Sequence, residues 1–139
     1  MLDIHYEDVE DLSLTQESLS NWITEVCSKE SKEFGDISLI FCSDEYLLEM
    51  NRTHLDHDYY TDIITFDYTE NQLVSGDLFI SIDRVCENAS DFNVSFVHEL
   101  HRVIIHGVLH LCGYKDKSNE EEKLMRSKEN EALSLISFT

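Results

Sequence analysis

The feature that most constrains the fold is one long helical pattern of apolar residues in the C-terminal half of the chain. From about Val94 to Cys112 apolar residues recur every three or four positions, as on one face of an α-helix. The stripe consists of Val97, Leu100, Ile104, Ile105, Val108 and Leu109. Gly113 follows where a helix commonly ends in a left-handed residue. A stripe with this many apolar residues has to be buried, and we therefore expect this helix at the centre of the core.

The rest of the chain predicts further helices and strands without a repeated βαβ rhythm. Helices are expected after the cap residues Thr15, Ser43 and Asp83, and after a capping box formed by Ser118 and Glu121. The first of these is expected to stop near Gly35. Strands are expected at 37–42, 63–68 and 78–82, and 54–61 is expected to be a loop. The second and third strands are close in sequence, which favours antiparallel pairing. The last helix is expected to bury Leu124, Met125, Ala132, Leu133 and Ile136.

These elements predict an α+β fold, with a small mixed or mostly antiparallel sheet packed by about five helices. The length of 139 residues suits a single domain spanning 1–139. No apolar run reaches the roughly 20 residues of a membrane helix, so no membrane partner is expected. The N-terminus lacks the pattern of a signal peptide, and the four cysteines are widely spaced. Both observations favour a reducing, cytoplasmic location.

Two histidines on the central helix are spaced to bind one metal ion. His106 and His110 are one helical turn apart, so both imidazoles lie on one face. Gly113 lets the chain turn back, and Asp116 can then close over the same ion. Two nitrogen ligands and one carboxylate leave a coordination position open for water, which is typical of a catalytic site. Zn²⁺ suits this ligand set best, with manganese or iron as alternatives.

The separate parts of this motif are unspecific, because histidine pairs also occur on ordinary helix surfaces and aspartates in ordinary turns. The joint pattern H-x3-H-x2-G-x2-D is far more specific, since it places three ligands and a helix-ending glycine in one geometry. The same spacing occurs in zinc proteases that read H-E-x-x-H-x-x-G-x-x-H or -D. Those enzymes need a glutamate general base after the first histidine, where this chain has Gly107. Phosphodiester hydrolysis, in which a metal activates water and neutralises phosphate charge, fits the residues better.

The net charge of −19 argues against a simple nucleic-acid-binding protein, which usually carries a basic face. The charge is uneven, however. Residues 1–70 contain 18 acidic and three basic residues, whereas 71–139 contain 11 and seven. The C-terminal half could therefore handle a polyanion, especially near a bound cation. We expect such a polyanion to bind weakly and with a strong dependence on salt.

The block 99–114, E-L-H-R-V-I-I-H-G-V-L-H-L-C-G-Y, strongly resembles the YbeY family of bacterial endoribonucleases. Asn51, the block 61–66 (T-D-I-I-T-F) and the block 76–81 (G-D-L-F-I-S) match its other motifs, so the resemblance covers about residues 37–128. It implies a zinc-dependent, single-strand-specific endoribonuclease that matures the 3′ end of small-subunit ribosomal RNA. It also implies roles in ribosome quality control and late assembly, with ribosomal RNA, the small subunit and assembly factors as partners, and no DNA.

Two positions depart from the family pattern. Asp116 stands where the third ligand is usually a histidine. It remains a competent ligand, but its harder, anionic oxygen can alter the metal preference. Leu55 stands where the family usually has an arginine, and Arg52 and His57 are the nearby residues that could replace it.

Three basic residues are candidates for substrate contacts. Arg102 precedes His106 by one turn and could either face the cleft or pair with an acid such as Glu99. Lys115 and Lys117 flank the third ligand at the mouth of the site, where they can position phosphates. The basic stretch continues along the last helix, where we interpret it as a solvated face, with Lys123, Arg126 and Lys128.

The favoured function is a metal-dependent endoribonuclease. In it His106, His110 and Asp116 are the metal ligands, and they are also the catalytic residues through the bound metal and its water. Two alternatives stay open at this stage. One is a zinc metalloprotease, and the other is a non-catalytic ribosome assembly factor with a structural metal. Whether water or the RNA 2′-hydroxyl attacks the phosphodiester is also open.

Overall fold

A computed structural model describes residues 1–55 and 59–136. Within these residues the chain forms four strands and five helices. The strands are β1 (Leu2–Tyr6), β2 (Glu33–Cys42), β3 (Ile63–Asp67) and β4 (Leu73–Ser81). The helices are α1 (Gln16–Lys29), α2 (Asp44–Leu55), α3 (Ile82–Phe92), α4 (Phe96–Leu111) and α5 (Asn119–Leu133).

The described strands form one mixed sheet in the order β1-β2-β4-β3. β2 is parallel to both β1 and β4, whereas β3 is antiparallel to β4 with Ile63 opposite Ile80. The α+β class and the mixed sheet are confirmed, but the mostly antiparallel alternative is wrong. The reason is that α1 returns the chain before β2, and α2 with β3 returns it before β4.

Three local expectations are corrected. β1 was not predicted, because its short, partly polar sequence carries a weak strand signal. Gly35 does not end α1 but lies within β2, where a Cβ would be 2.8 Å from the backbone oxygen of Val74. Glycine therefore permits the close approach of β4. The N-cap of α3 is Ser81 rather than Asp83, since the Ser81 hydroxyl accepts a hydrogen bond from the Arg84 amide at 3.1 Å.

The predicted loop at 54–61 begins later than expected, because α2 continues to Leu55. Positions 56–58, including His57, lie outside the described residues. The predicted caps Thr15 and Ser43 do begin α1 and α2. The Ser118–Glu121 capping box at the start of α5 is confirmed with both of its hydrogen bonds.

α4 is the central element of the core. It packs against β3, β4, α3 and α5, and its residues 99–105 and 107–109 are buried. His106 and His110 are only half-buried, so they mark the one part of the helix's second half that reaches the surface before Leu111. Position 107 faces the sheet, where a Cβ would be 2.7 Å from Ile63 Cδ1 and 2.9 Å from Leu78 Cδ1. α5 covers the other side with Met125, Ala132 and Leu133, while the predicted core residue Leu124 is exposed.

In the described part of the chain no helix is both long and apolar enough to cross a membrane. The four cysteines all lie in that part, and each is a free thiol.

Candidate metal centre

The three predicted ligands converge on one point at the surface of α4. The Nε2 atoms of His106 and His110 are 3.0 Å apart. Asp116 Oδ2 lies 3.2 Å from the first of them and 3.4 Å from the second. Ligand atoms around a tetrahedral zinc ion, with bonds of about 2.0–2.1 Å, are about 3.3 Å from one another. The triangle therefore has the size that a zinc ion requires, and it is open to solvent on its outer side.

The other nitrogen of each imidazole is held by an acceptor. His106 Nδ1 lies 2.6 Å from Glu129 Oε2, and His110 Nδ1 lies 2.9 Å from the backbone oxygen of Tyr114. These acceptors place the proton of each neutral ring on Nδ1 and leave a lone pair on Nε2. Two lone pairs and a carboxylate oxygen within 3.4 Å repel one another unless a cation lies among them. The chemistry of the donor set therefore fits a divalent metal ion.

The end of α4 explains how the Tyr114 carbonyl reaches His110. The Gly113 amide donates to the oxygen of His110 at 3.0 Å, and the Tyr114 amide donates to the oxygen of Leu109 at 3.1 Å. This pair of bonds is a Schellman motif, and it needs a residue with positive φ at its centre. Gly113 supplies it with φ 110°, as the sequence predicted.

Asp116 lies in the short segment between the C-terminal end of α4 and the N-terminal end of α5, and both helix ends are fixed by capping motifs. The Schellman motif lies on its N-terminal side. On its C-terminal side the Ser118 hydroxyl accepts a bond from the Glu121 amide at 3.1 Å, and the Glu121 carboxylate accepts from the Ser118 amide at 3.0 Å. Only four residues separate Gly113 from Ser118, so the segment that carries Asp116 has little freedom. The Asp116 side chain is 38 % exposed, compared with 19 % for the side chain of His106.

Beneath the histidines lies a buried ion network that the sequence analysis did not assemble. Arg102 Nη1 donates to Glu129 Oε1 at 3.1 Å, and Arg102 Nε donates to Glu99 Oε1 at 2.9 Å. Burial by itself would raise the pKa of Glu129, but the hydrogen bond with His106 and the charge of Arg102 outweigh it and lower that pKa. Glu129 is thus ionised and oriented, with one oxygen on Arg102 and the other on His106.

Sequence reasoning missed Glu129, although a signal for it exists. Glu129 is four residues after Met125 and three before Ala132, so it occupies the buried face of α5, where it is 2 % exposed. An acidic residue in the apolar stripe of a helix requires a buried partner. The sequence alone does not say which cation or histidine that partner is, because α4 and α5 meet only in the tertiary structure.

Two clefts flank the metal centre. The β3 cleft has a volume of about 520 Å³ and is lined by residues 61–63, 65 and 67, the two histidines and positions 113–116. The α5 cleft has a volume of about 580 Å³ and is lined by Arg102, His106 and Asp116 and by the α5 residues Asn119, Glu122, Lys123, Met125, Arg126 and Glu129. Both volumes are in the range of small-molecule sites, so each can take part of an extended ligand.

A second missed acid is Asp62, which lines the β3 cleft together with His106 and Asp116. Desolvation by burial raises the pKa of its carboxyl group, and the opposing attraction to His106 and Arg102 is smaller. The Asn88 amide lies 3.5 Å from its Oδ2 atom. Asp62 stands at the start of β3 in the T-D-I-I-T-F block, and its spacing alone does not connect it with histidines more than 40 positions later.

The predicted substrate contacts lie in different surroundings. Arg102 is buried and paired with Glu99 and Glu129, and it contributes to the wall of the α5 cleft. Lys115 lines the β3 cleft, and Lys117 is exposed next to Asp116. A substrate-binding role for these three residues stays a prediction.

The residues near the family's arginine position are on α2. Leu55 is exposed at the end of that helix, and Arg52 pairs with Glu49 at 3.9 Å.

Comparisons with known proteins agree on one family. A family model described as Endoribonuclease YbeY matches residues 4–137. The chain is 53 % identical over 130 residues to the Endoribonuclease YbeY of Parabacteroides distasonis, and this alignment covers 94 % of this chain and 92 % of that protein. It is 51 % identical over 138 residues to the one of Phocaeicola vulgatus, with 99 % and 100 % covered. Among solved structures it is similar to the solution structure of a Thermotoga maritima protein, with 30 % identity, a TM-score of 0.69, and 96 % and 87 % of the two chains covered.

Proposed function

Because the chain belongs to the YbeY endoribonuclease family, we propose that it is a metal-dependent endoribonuclease specific for single-stranded RNA. Two relatives that carry this name align over 94 % and 99 % of the chain. The observation that carries the metal dependence is the triangle of His106, His110 and Asp116, with both Nδ1 atoms held by acceptors.

Zn²⁺ is the metal we propose, with His106, His110 and Asp116 as its ligands. When bound there, it would supply a Lewis acid that activates water and neutralises phosphate charge. Asp116 makes the ligand set less positive than three histidines would. For that reason manganese or iron is the alternative to be tested.

The chain's own residues then have separate tasks. Glu129 orients His106, and the Tyr114 carbonyl orients His110. Lys115 and Lys117 flank the third ligand, where their ammonium groups can bind the phosphate next to the scissile bond. Arg102 is held by two carboxylates, so we assign it the task of positioning Glu129 as well as forming the wall of the α5 cleft.

The substrate we propose is the 3′ end of small-subunit ribosomal RNA, cleaved in the cytoplasm during late ribosome assembly and quality control. The names of the relatives support RNA as the substrate. The net charge of −19 supports delivery by the small subunit or an assembly factor, because such a protein repels free RNA over most of its surface.

The alternatives have less support. A protease of the H-E-x-x-H type needs a glutamate at position 107, but a Cβ there would meet Ile63 and Leu78 on the sheet. An assembly factor with a structural metal would need that metal to fold. The described core is instead one apolar cluster of residues from α1, the sheet, α4 and α5, and none of the three proposed ligands belongs to it.

The test is cleavage of a structured RNA with a single-stranded 3′ tail. We expect the zinc-loaded wild type to cleave the tail, a chelator to abolish cleavage, and His110→Ala to be folded but inactive. His5→Ala, at an exposed position of β1, is the matched control and should cleave normally. If His110→Ala is unfolded by circular dichroism, the structural-metal alternative gains support. If no cleavage occurs on free RNA or on ribosomal particles, the proposal is wrong.

The product ends of the same reaction identify the nucleophile. A 2′,3′-cyclic phosphate on the upstream product shows that the RNA 2′-hydroxyl attacked the phosphorus. An upstream product with a free 2′-hydroxyl, formed without a cyclic precursor, shows that water attacked.

A further inference from the structure

Positive charge is concentrated beside the metal centre. The chain has 10 basic residues against 29 acidic ones, yet four of the 10 fall between positions 115 and 126. They are Lys115, Lys117, Lys123 and Arg126. The first two flank a metal ligand and belong to the function proposed above. The other two are on α5, and the sequence pattern there suggested only a solvated helix face.

The structure places these two side chains in the α5 cleft. Lys123 and Arg126 line the same cavity as His106 and Asp116. Asn119 lines it too, and the spacing of four and then three residues puts all three on one face of α5. One helical turn advances about 5.4 Å, so the face extends the site by about two turns from the metal centre. Lys128 points elsewhere, toward Glu30 at 3.4 Å and Glu131 at 3.5 Å.

Neither of these two cations is fully engaged by an acidic partner. Within residues 1–55 and 59–136, Lys123 has no ion pair shorter than 4.0 Å, despite the large excess of acidic groups. Arg126 is 52 % exposed and lies 3.5 Å from Glu129, but that carboxylate is already bound by Arg102 and His106. Both cations therefore have donor capacity left for an anionic ligand. Three acidic residues line the same cleft. Asp116 is a proposed metal ligand and Glu129 is bound by Arg102 and His106, so Glu122 is left as the opposing charge.

We propose that this face of α5 binds the RNA backbone one or more phosphates away from the scissile bond, with Lys123 and Arg126 as the phosphate ligands and Asn119 as a neutral donor. The proposal rests on the endoribonuclease function and extends it, because it gives the strand a path from the metal centre along the α5 cleft. Charge complementarity favours a polyanion on this wall, and continuity with the metal centre makes that polyanion the substrate strand.

The experiment compares two single-stranded RNAs, one of three nucleotides and one of 12, under metal-loaded conditions. For the longer RNA, Lys123→Glu and Arg126→Glu should each lower kcat/KM by about 10-fold. Each should also make the plot of log kcat/KM against log salt less steep by about 0.7, the value for one lost phosphate contact on a single strand. For the shorter RNA, Lys123→Glu should stay within about twofold of wild type.

Two further variants separate a local contact from the effect of total charge. Lys29→Glu makes the same change of charge at an exposed site on α1 that lines neither cleft, and it should change both substrates by less than about twofold. Glu122→Gln removes the opposing charge and should raise kcat/KM for the longer RNA only.

The outcomes are distinguishable. If the wild type cleaves neither of these RNAs nor the RNA of ribosomal particles, the endoribonuclease function fails, and this inference fails with it. If the wild type cleaves but Lys123→Glu and Lys29→Glu behave alike, only the total charge matters and the α5 surface is not a phosphate site. Equal losses on both RNAs would place Lys123 at the scissile phosphate instead. Normal RNA kinetics with weaker binding to ribosomal particles would indicate an acidic protein segment as the occupant, which also overturns the proposal.

Discussion

At the scale of single residues, the candidate metal centre is built as much from hydrogen-bond partners as from its proposed ligands. His106 and His110 are the same residue type one turn apart, yet one is oriented by a buried carboxylate and the other by a backbone carbonyl. The carbonyl belongs to the helix end and cannot be removed by substitution of a side chain. The carboxylate of Glu129 can be removed in this way. Substitution of Glu129 therefore tests the site without changing any of the proposed ligands.

Glu129→Gln should weaken zinc binding by about 10- to 100-fold, the usual effect of losing such a partner. A glutamine amide has one acceptor and one donor end, so it cannot accept from both Arg102 and His106 as the carboxylate does. Competition with a chromophoric chelator measures the affinity, and circular dichroism verifies the fold. Glu131→Gln, an exposed acid on the same helix, is the control. Equal zinc affinities for both variants would contradict the role of Glu129.

Asp62 makes a prediction about pH in the metal-free protein. Burial raises the pKa of this carboxyl group above its ordinary value of 3.8, so ionised Asp62 destabilises the folded state. The penalty is absent below pH 3.8 and grows as the pH rises through the raised, folded-state pKa. Asp62→Asn should therefore be more stable than wild type at neutral pH and lose this advantage in acid. Urea unfolding at pH 7 and at about pH 3.5 measures the difference, and an advantage at the lower pH alone would reverse the sign we derive.

At the scale of elements, the short segment between α4 and α5 decides where Asp116, the third proposed ligand, lies. It is bounded by a Schellman motif on one side and a capping box on the other, and both were visible in the sequence as Gly113, Ser118 and Glu121. The two motifs fix the direction in which the chain leaves one helix and enters the next. That direction brings Asp116 back over the face that carries the histidines.

Ser118→Ala removes the side-chain half of the capping box. We expect the free energy of unfolding to fall by about 1 kcal/mol, because the Glu121 amide loses its acceptor. Zinc affinity should fall as well, since Asp116 is two residues away and is less restrained. Thermal unfolding and chelator competition measure the two effects. Ser127→Ala, in the exposed middle of the same helix, should change neither by a comparable amount, and an equal loss there would point to general helix propensity instead of capping.

At the scale of the whole molecule, the dominant quantity is the net charge of −19. It is offset locally by the cations beside the metal centre, so the protein combines a repulsive surface with one region suited to a polyanion. The single-domain organisation over 1–139 stays a prediction. The continuous core that joins α1, β2, α4 and α5 supports it, and one cooperative unfolding transition would be its signature.

Salt should stabilise this protein against heat. Repulsion among the excess carboxylates destabilises the compact state. Added salt weakens this repulsion between charges that are farther apart than the Debye length, which is about 10 Å at 0.1 M. Raising NaCl from 0.01 to 0.3 M should increase the free energy of unfolding by roughly 1 kcal/mol and Tm by about 3–5 °C. Scanning calorimetry across this range is the measurement. A Tm that is constant or falls with salt would show that local ion pairs, such as the network around Arg102, outweigh the net charge.

Much of the architecture follows from local patterns in the sequence. The antiparallel β3–β4 pair and the caps at Ser43 and Ser118 are confirmed, because each depends on contacts a few residues apart. The stripe of α4 is confirmed from Leu100 to Leu109, but Val97, in the first turn of the helix, is 42 % exposed. β1 and the parallel pairings of β2 were not foreseen. Parallel pairing joins strands that are distant in sequence, and the register of such a pair is set by packing of the whole sheet.

The same division holds at the site. The sequence by itself determined that the three proposed ligands come together, since His106, His110 and Asp116 lie within 11 positions and one helix with its terminal turn sets their geometry. Only the tertiary structure decided what surrounds the triad. Glu129 reaches His106 across 23 positions, and Lys123 joins the same cleft, because α5 packs against α4. Asp62 reaches it because β3 forms the edge of the sheet beneath α4. Helical spacing fixes neighbours one turn apart, whereas the burial of apolar surface by the whole chain fixes which helices and strands meet.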